Sequence, residues 1–249
     1  MIELEKSEYP VLKNLFSDDH PYVEVPMIVN DRRGRAWVDS KLNPRLGLIA
    51  MGDMAFIEGD GETRYLKPVI KEISSSVIEI CCDLKFKSVI TETLNNASEN
   101  QNIFFFHDGK IRQFRKPAEI KVVEIDEKLF DRLPETGEDW LGSMFNNGDD
   151  FVSKGFGYGI IADGILISAA VTFGVDKNRV NIGVGTHPDF RLKGFSTFCT
   201  SACVNKAYER RLKPIWITGP TNLASKAVAI KNGFTQSFQL PNFWLGPDV

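Results

Sequence analysis

Residues 180–196 read Val-Asn-Ile-Gly-Val-Gly-Thr-His-Pro-Asp-Phe-Arg-Leu-Lys-Gly-Phe-Ser, a strand-like run that turns into the start of an amphipathic stretch. Backbone N–H groups at a helix start lack intrahelical partners and carry partial positive charge. Arg191 and Lys193 add full charges beside them, and Gly194 lets a phosphate come close to the main chain. The chemistry these residue types favour is capture of an anion, and a diphosphate fits such a cradle. Before Thr186 the run offers only Asn181 as a polar side chain, so it carries no titratable base.

A loop of this kind needs a strand in front and a helix behind. Phe195, Phe198, Cys199, Ala202 and Cys203 recur at i, i+3, i+4, i+7 and i+8, which predicts a helix with one apolar face. Arg210, Arg211 and Lys213 suit its negative pole, and Pro214 stops it. Upstream, strands are expected over 156–162, 165–174 and 179–186. The hairpin signal Asp163-Gly164 and the turn Asp176-Lys177-Asn178 join them into an antiparallel meander. A strand over 119–125 and helices over 126–133 and 138–146 precede them. Downstream come a strand over 215–218 and a helix opened by Thr221 or Asn222, with Ala224, Ala227 and Val228 inward and Gly233 closing it; strands over 234–240 and 243–245 follow.

The first half reads as mixed α/β. Strands are expected over 22–29, 35–39, 46–51, 55–58 and 77–82, a helix over 84–95, and a hairpin of 102–106 with 111–114 around His107-Asp108-Gly109-Lys110. The stretch Arg115-Lys116-Pro117 separates this half from the next cycle of elements, which gives domains 1–117 and 118–249. The expected class is α+β, layered, with a mixed and mostly antiparallel sheet flanked by helices and a second, smaller α/β domain at the N-terminus.

Composition narrows the function. Of 249 residues, 43% are hydrophobic and 25% charged, which excludes disordered, collagen-like and disulfide-dense classes. A formal charge of −3 gives no field to hold nucleic acid or an anionic membrane. The N-terminal MIELEKSEYP lacks the basic start and apolar run of a signal peptide, and no uncharged stretch reaches membrane-spanning length, so a soluble, cytoplasmic protein is expected. Cys81-Cys82 and the Cys199, Cys203 pair do not match zinc spacings and read as reduced, inert thiols. The basic turn Arg32-Arg33-Gly34-Arg35 reads as solvated, the 104–106 and 243–244 aromatic clusters as packing, and Trp216 as core ahead of the alternative, a wall of a substrate pocket. No HExxH, GxSxG or Walker pattern occurs.

The order of elements, with residues 186–196 and the later Asn222, Ser225 and Asn232-Gly233-Phe234, resembles the GNAT superfamily of acetyl-CoA-dependent N-acetyltransferases over residues 119–245. That superfamily writes its pyrophosphate loop Arg/Gln-x-x-Gly-x-Gly/Ala. Arg191 and Gly194 match it, and Ser196 departs from it with a residue small enough to be tolerated. Ala36-Trp37-Val38-Asp39, Asn43-Pro44 and 56–60 resemble a two-part subfamily whose first domain is a degenerate partial copy of the fold.

The resemblance implies that the strand 180–186 splays from 215–218 and admits acyl-CoA between them. Val184, Gly185 and Thr186 would then pair with pantetheine, and Arg191, Leu192, Lys193, Gly194, Phe195 and Ser196 would cradle the diphosphate. Asn222 and Ser225 would open the helix beside the pantetheine arm, and the N–H of Val184 would face the thioester carbonyl. The implied cosubstrate is acetyl-CoA without a metal, and the implied partner is a small-molecule or peptide amine. Two family features are missing: the strand has no Glu or His base, and Ala229 stands where a Tyr often protonates the thiolate. Because orientation alone supplies ~7–11 kcal/mol, against ~10²–10⁴-fold for acid–base help, a working N-acetyltransferase remains the leading expectation. His187, Tyr158 and Tyr208 are the other proton-transfer candidates, with His187 reading as a loop residue beside Pro188. The alternative is an inactive GNAT-like module that keeps acyl-CoA as a sensor or interaction platform.

Overall fold

The computed structural model describes residues 1–245. The expected second domain runs to Val249, so residues 246–249 of that expectation lie outside the described residues. Two compact units are present: Met1–Asn102 together with the C-terminal segment from Gln239, and Ile103–Phe238. The division falls inside two strands, Ser98–His107 and Phe234–Trp244.

In the first unit β1 (Ile2–Glu3) lies antiparallel to β2 (Arg35–Val38), which is preceded by helix α1 (Glu24–Asn30). Strands β2, β3 (Leu46–Met51) and β4 (Met54–Gly59) form an antiparallel meander. Helix α2 (Leu66–Ile73) leads to β5 (Glu79–Cys82), parallel to β4; helix α3 (Lys87–Thr93) leads on to β6 (Ser98–His107). Leu66, Val69, Ile70 and Ile73 recur at helical spacing on α2 and join Trp37, Leu48, Ile57, Ile80 and Phe86 in one apolar cluster.

The strand expected over 22–29 is instead helix α1. Its β-branched residues suit either state, and Val25, Met27, Ile28 and Val29 are all buried, so packing overrides strand propensity. Pro26 sits in the first turn, where a missing N–H costs no helical bond.

In the second unit β7 (Val122–Glu124), α4 (Glu127–Phe130) and α5 (Gly148–Lys154) precede β8 (Gly157–Ala162), β9 (Ile165–Val175) and β10 (Arg179–Thr186). Then come α6 (Phe195–Glu209), β11 (Lys213–Thr218), α7 (Leu223–Lys231) and β12 (Phe234–Trp244). Strand order in this unit is β6-β11-β10-β9-β8-β7, antiparallel except for the β10–β11 pair. This is the mixed, mostly antiparallel sheet flanked by helices that the sequence predicts. Cys199, Cys203, Val204 and Ala207 turn the apolar face of α6 onto Val180, Ile182, Ile167 and Trp216.

Two expectations fail here. Residues 138–146 form turns, because Gly142 adopts φ +91° and a Cβ there would meet the Phe130 ring at 2.8 Å. The helix begins later, where Asn147 caps it by accepting from the Asp150 N–H at 2.9 Å. Residues 111–114 are not a strand; the Arg112 carbonyl accepts from the Ser201 hydroxyl of α6 instead, and β6 pairs with β11.

The element order of the first unit recurs in the second. Each runs three antiparallel strands, a helix, a strand parallel to the third, a helix and a strand: β2-β3-β4-α2-β5-α3-β6 and β8-β9-β10-α6-β11-α7-β12. They differ at the parallel pair. Strand β5 is paired with β4 along its whole length, from Met54↔Glu79 to Ile57↔Cys82. Strand β11 is paired with β10 only from Arg179↔Lys213 to Asn181↔Ile215.

Candidate active site

Beyond Asn181 the two parallel strands of the second unit part. Strand β10 continues to Thr186 against β9 alone, while Trp216, Ile217 and Thr218 of β11 pair with β6 on the other side. The register shifts between Asn181 and Ile182, at the point where the pairing ends.

The hydrogen-bond phase of β10 fixes what faces the gap. The His187 N–H donates to the Ile167 carbonyl at 2.8 Å, so in this antiparallel ladder the 187/167 pair is hydrogen-bonded. With Thr186 opposite Ser168 and Val184 opposite Ala170, alternation makes these two the non-bonded pairs. Their main-chain groups therefore point away from β9. The Thr186 carbonyl accepts from Arg191 Nε at 3.1 Å. The N–H and C=O of Val184 point into the gap, where β11 no longer pairs with β10. The Val184 side chain packs toward the α6 core, so this residue offers the gap its backbone only.

The loop that follows is built by left-handed residues. Leu192 has φ +64° and Gly194 φ +81°, bracketing Lys193 and turning successive N–H groups toward the helix start. A Cβ on Gly194 would meet nothing within 4 Å, so the space over this main chain is open. Helix α6 has no side-chain cap, and its Thr197 N–H turns back to the Gly194 carbonyl. Phe195 and Ser196 thus begin a helix whose leading N–H groups have no side-chain acceptor.

Both cations of the loop are braced locally. Besides the Thr186 carbonyl, Arg191 reaches Glu138 Oε1 with Nη2 at 3.4 Å. Lys193 donates to the Asp189 carbonyl at 3.1 Å and lies 4.8 Å from the Phe190 ring centroid. His187 caps the short turn Pro188–Phe190 through Nδ1, which accepts the Asp189 N–H at 3.3 Å, as a loop residue would.

Across the gap, α7 packs on β11 and α6. Asn222 caps it, accepting the Ser225 N–H at 3.0 Å, and the Ser225 hydroxyl accepts the Trp216 indole N–H at 2.9 Å. The inward face of α7 is Ala229, with Ser225 and Val228 half-buried; Ala224 and Ala227, expected inward, are exposed. Ala229 is fully buried in the cluster with Trp216 and Phe234, and Trp216 is core, as expected.

Tyr158 and Tyr208 pack against the core cluster that contains Val180 and Ile182. Tyr158 lies on β8 with β9 between it and β10, and burial pushes its hydroxyl up to about 12. The Tyr208 hydroxyl is bonded to His107 Nδ1 at 2.6 Å, and His107 Nε2 donates to the Asn232 carbonyl at 3.0 Å.

The carboxylate that sequence reasoning missed is Glu138. Gly183 and Gly185 share the β10 face opposite α6. A Cβ on Gly183 would meet Trp140 at 2.9 Å, and one on Gly185 would meet Thr136 Oγ1 at 2.6 Å and Glu138 Cγ at 2.8 Å. The two glycines make room for residues 136–141 to lie on the strand. Glu138 Oε2 accepts the Trp140 indole N–H at 2.8 Å. Among the described residues no cluster of three or more His, Cys, Asp or Glu stands ready for a metal.

Known proteins with this architecture agree in kind. A model of the GNAT acetyltransferase family matches residues 13–243. The chain is 23% identical over 247 residues to the uncharacterized N-acetyltransferase YdfB of Bacillus subtilis, covering 93% of this chain and 94% of the relative. In fold it is similar to a GCN5-related N-acetyltransferase-like protein of Streptococcus suis, with TM-score 0.80, 18% identity and coverage of 96% of this chain and 98% of the other. A GCN5-related N-acetyltransferase of Sphaerobacter thermophilus gives TM-score 0.61 at 10% identity, covering 100% of this chain and 96% of the other. The chain belongs to the GNAT acetyltransferase family, and its class is that of an acyltransferase.

Proposed function

We propose that the protein transfers an acetyl group from acetyl-CoA to an amine, with the cosubstrate lying in the gap between β10 and β11. The observation that carries this reading is the phase of β10: its pairing with β11 stops at Asn181, and the Val184 N–H and C=O point into the opening. An extended amide-bearing ligand pairs with such an edge as another strand would. The open space over Gly194 and the uncapped start of α6 suit a diphosphate, and Arg191 and Lys193 supply positive charge beside it. Bound acetyl-CoA supplies an acyl group activated as a thioester.

The protein's own part is placement. The Val184 N–H donates to the carbonyl oxygen of the thioester and stabilises the negative charge that grows there during attack. The loop from Arg191 to Ser196 anchors the distant end, which converts a bimolecular encounter into an oriented one. With the buried Ala229 where a Tyr often stands in the family, the thiolate receives no proton from that position. A thiol of pKa about 8.5 is a tolerable leaving group on that basis.

Calorimetry with acetyl-CoA on wild type and Arg191→Glu, run beside a thiol-release assay over a panel of amines, tests the reading. The expected result is affinity lowered at least about tenfold by the charge reversal, ~1.4 kcal/mol, with amine-dependent release lost in step. Equal affinity in the two proteins contradicts the loop assignment.

A further inference from the structure

We propose that Glu138 is an autoinhibitory counter-ion: it holds Arg191 before cosubstrate binds and has to yield it to the diphosphate. The assignment rests on the diphosphate reading of the loop given above. Arg191 has two grips. Its Nε donates to the Thr186 carbonyl at 3.1 Å, which ties the guanidinium to the end of β10, and its Nη2 lies 3.4 Å from Glu138 Oε1. Nη2 takes part in both of the two-bond edges with which a guanidinium clasps a phosphate. A carboxylate on that nitrogen therefore competes for a donor that the diphosphate uses. Lys193, the other cation of the loop, is held instead by the Asp189 carbonyl at 3.1 Å and the Phe190 ring.

Glu138 is placed for this contact by the rest of its segment. Oε2 accepts the Trp140 indole N–H at 2.8 Å, and the Trp140 ring stands edge-on to Phe173 with centroids 5.4 Å apart. Its Cγ lies 2.8 Å from where a Cβ on Gly185 would be, and the Trp140 ring 2.9 Å from where one on Gly183 would be. Two residues without side chains thus let Glu138 rest on β10, whose far end leads into the Arg191 loop. A carboxylate fixed through one oxygen loses little further freedom when the other meets a cation. The Arg191 side chain is 55% exposed and that of Glu138 31%, so the pair is open to an incoming anion and weak enough to be displaced.

The consequence is an exchange of partners. Apparent affinity for a ligand is the intrinsic affinity scaled by the fraction of molecules in the competent state. Here the competent state is the one in which Arg191 has left Glu138 and turned to the diphosphate. Removing the carboxylate charge raises that fraction, and the gain is confined to ligands that carry a diphosphate and to proteins that carry Arg191.

The test is calorimetry of acetyl-CoA with wild type, Glu138→Gln, Arg191→Gln and the double variant. NMR titration of wild type and Glu138→Gln with S-acetylpantetheine, which has the arm without the diphosphate, runs beside it. Glu138→Gln keeps the shape and an oxygen for the Trp140 N–H. Expected is acetyl-CoA affinity raised about two- to fivefold by Glu138→Gln, the range of an exposed ion pair. That gain is lost in the Arg191→Gln background, and S-acetylpantetheine binds wild type and Glu138→Gln alike. Unchanged acetyl-CoA affinity in Glu138→Gln overturns the proposal. Lowered affinity overturns it too, since Glu138 would then orient Arg191 for the ligand rather than withhold it. An equal gain with Arg191 removed, or an equal gain for S-acetylpantetheine, reduces Glu138 to a general charge effect and also overturns it. None of these results touches the parent reading, which fails on separate measurements: wild type that does not bind acetyl-CoA, or Arg191→Gln that binds it as tightly as wild type.

Discussion

Gly183 and Gly185 put two empty positions on one face of β10, and residues 136–141 fill them with Trp140, Leu141 and Glu138. A methyl group at 185 would press on Thr136 and Glu138 at 2.6 and 2.8 Å. Gly185→Ala should therefore cost ~1–3 kcal/mol by overpacking, read as a shift of the urea midpoint, and should also displace Glu138. The shape of the loop before α6 was legible in the sequence because it obeys local rules: a residue without a Cβ before a helix start, with cations just ahead of it. Glu138 was not, because it meets Arg191 across 53 residues of chain and reaches β10 only when the sheet is assembled. Its neighbours Trp140, Leu141, Met144 and Phe145 instead imitate an amphipathic helix that Gly142 interrupts.

Where local signals and tertiary packing agree, strands and helices fall where the sequence places them. Strand β10 spans the expected 179–186, and α7 opens at Asn222 through its bond to the Ser225 N–H. Asn222→Ala removes that cap and should lower stability by ~1 kcal/mol, measured by chemical denaturation. Where β-branched residues are buried on every side, as in α1, periodicity cannot separate strand from helix. The opening between β10 and β11 was expected from family resemblance; sequence periodicity alone does not show where a parallel pair stops. The contrast with β4 and β5, which stay paired to the end of β5, bears on stoichiometry. Calorimetry should find one acetyl-CoA per chain; two would mean that the first unit also takes a cosubstrate.

For the molecule as a whole, two chemical probes follow from burial. All four thiols are free and buried, and burial raises each above its usual range, Cys199 to about 12. A disulfide reagent at neutral pH should leave the native protein unlabelled and react with all four cysteines once it is unfolded. His107 is shifted the other way for a base: burial lowers its imidazole below the ordinary value of 6.5, outweighing the nearby Asp108. A folded-state value below the unfolded one means that unfolding takes up a proton. This contribution to stability is present above about pH 6.5 and is lost as pH falls through the folded-state value. Urea midpoints should drop between pH 8 and 5.5, and His107→Gln should shrink that drop.

The placement of acetyl-CoA against β10 is tested most directly by amide hydrogen–deuterium exchange with and without the cosubstrate. The expected result is slowed exchange at Val184 and across residues 191–196, with no change along β4 and β5. Exchange at Val184 and the loop that stays the same while acetyl-CoA is demonstrably bound would contradict it.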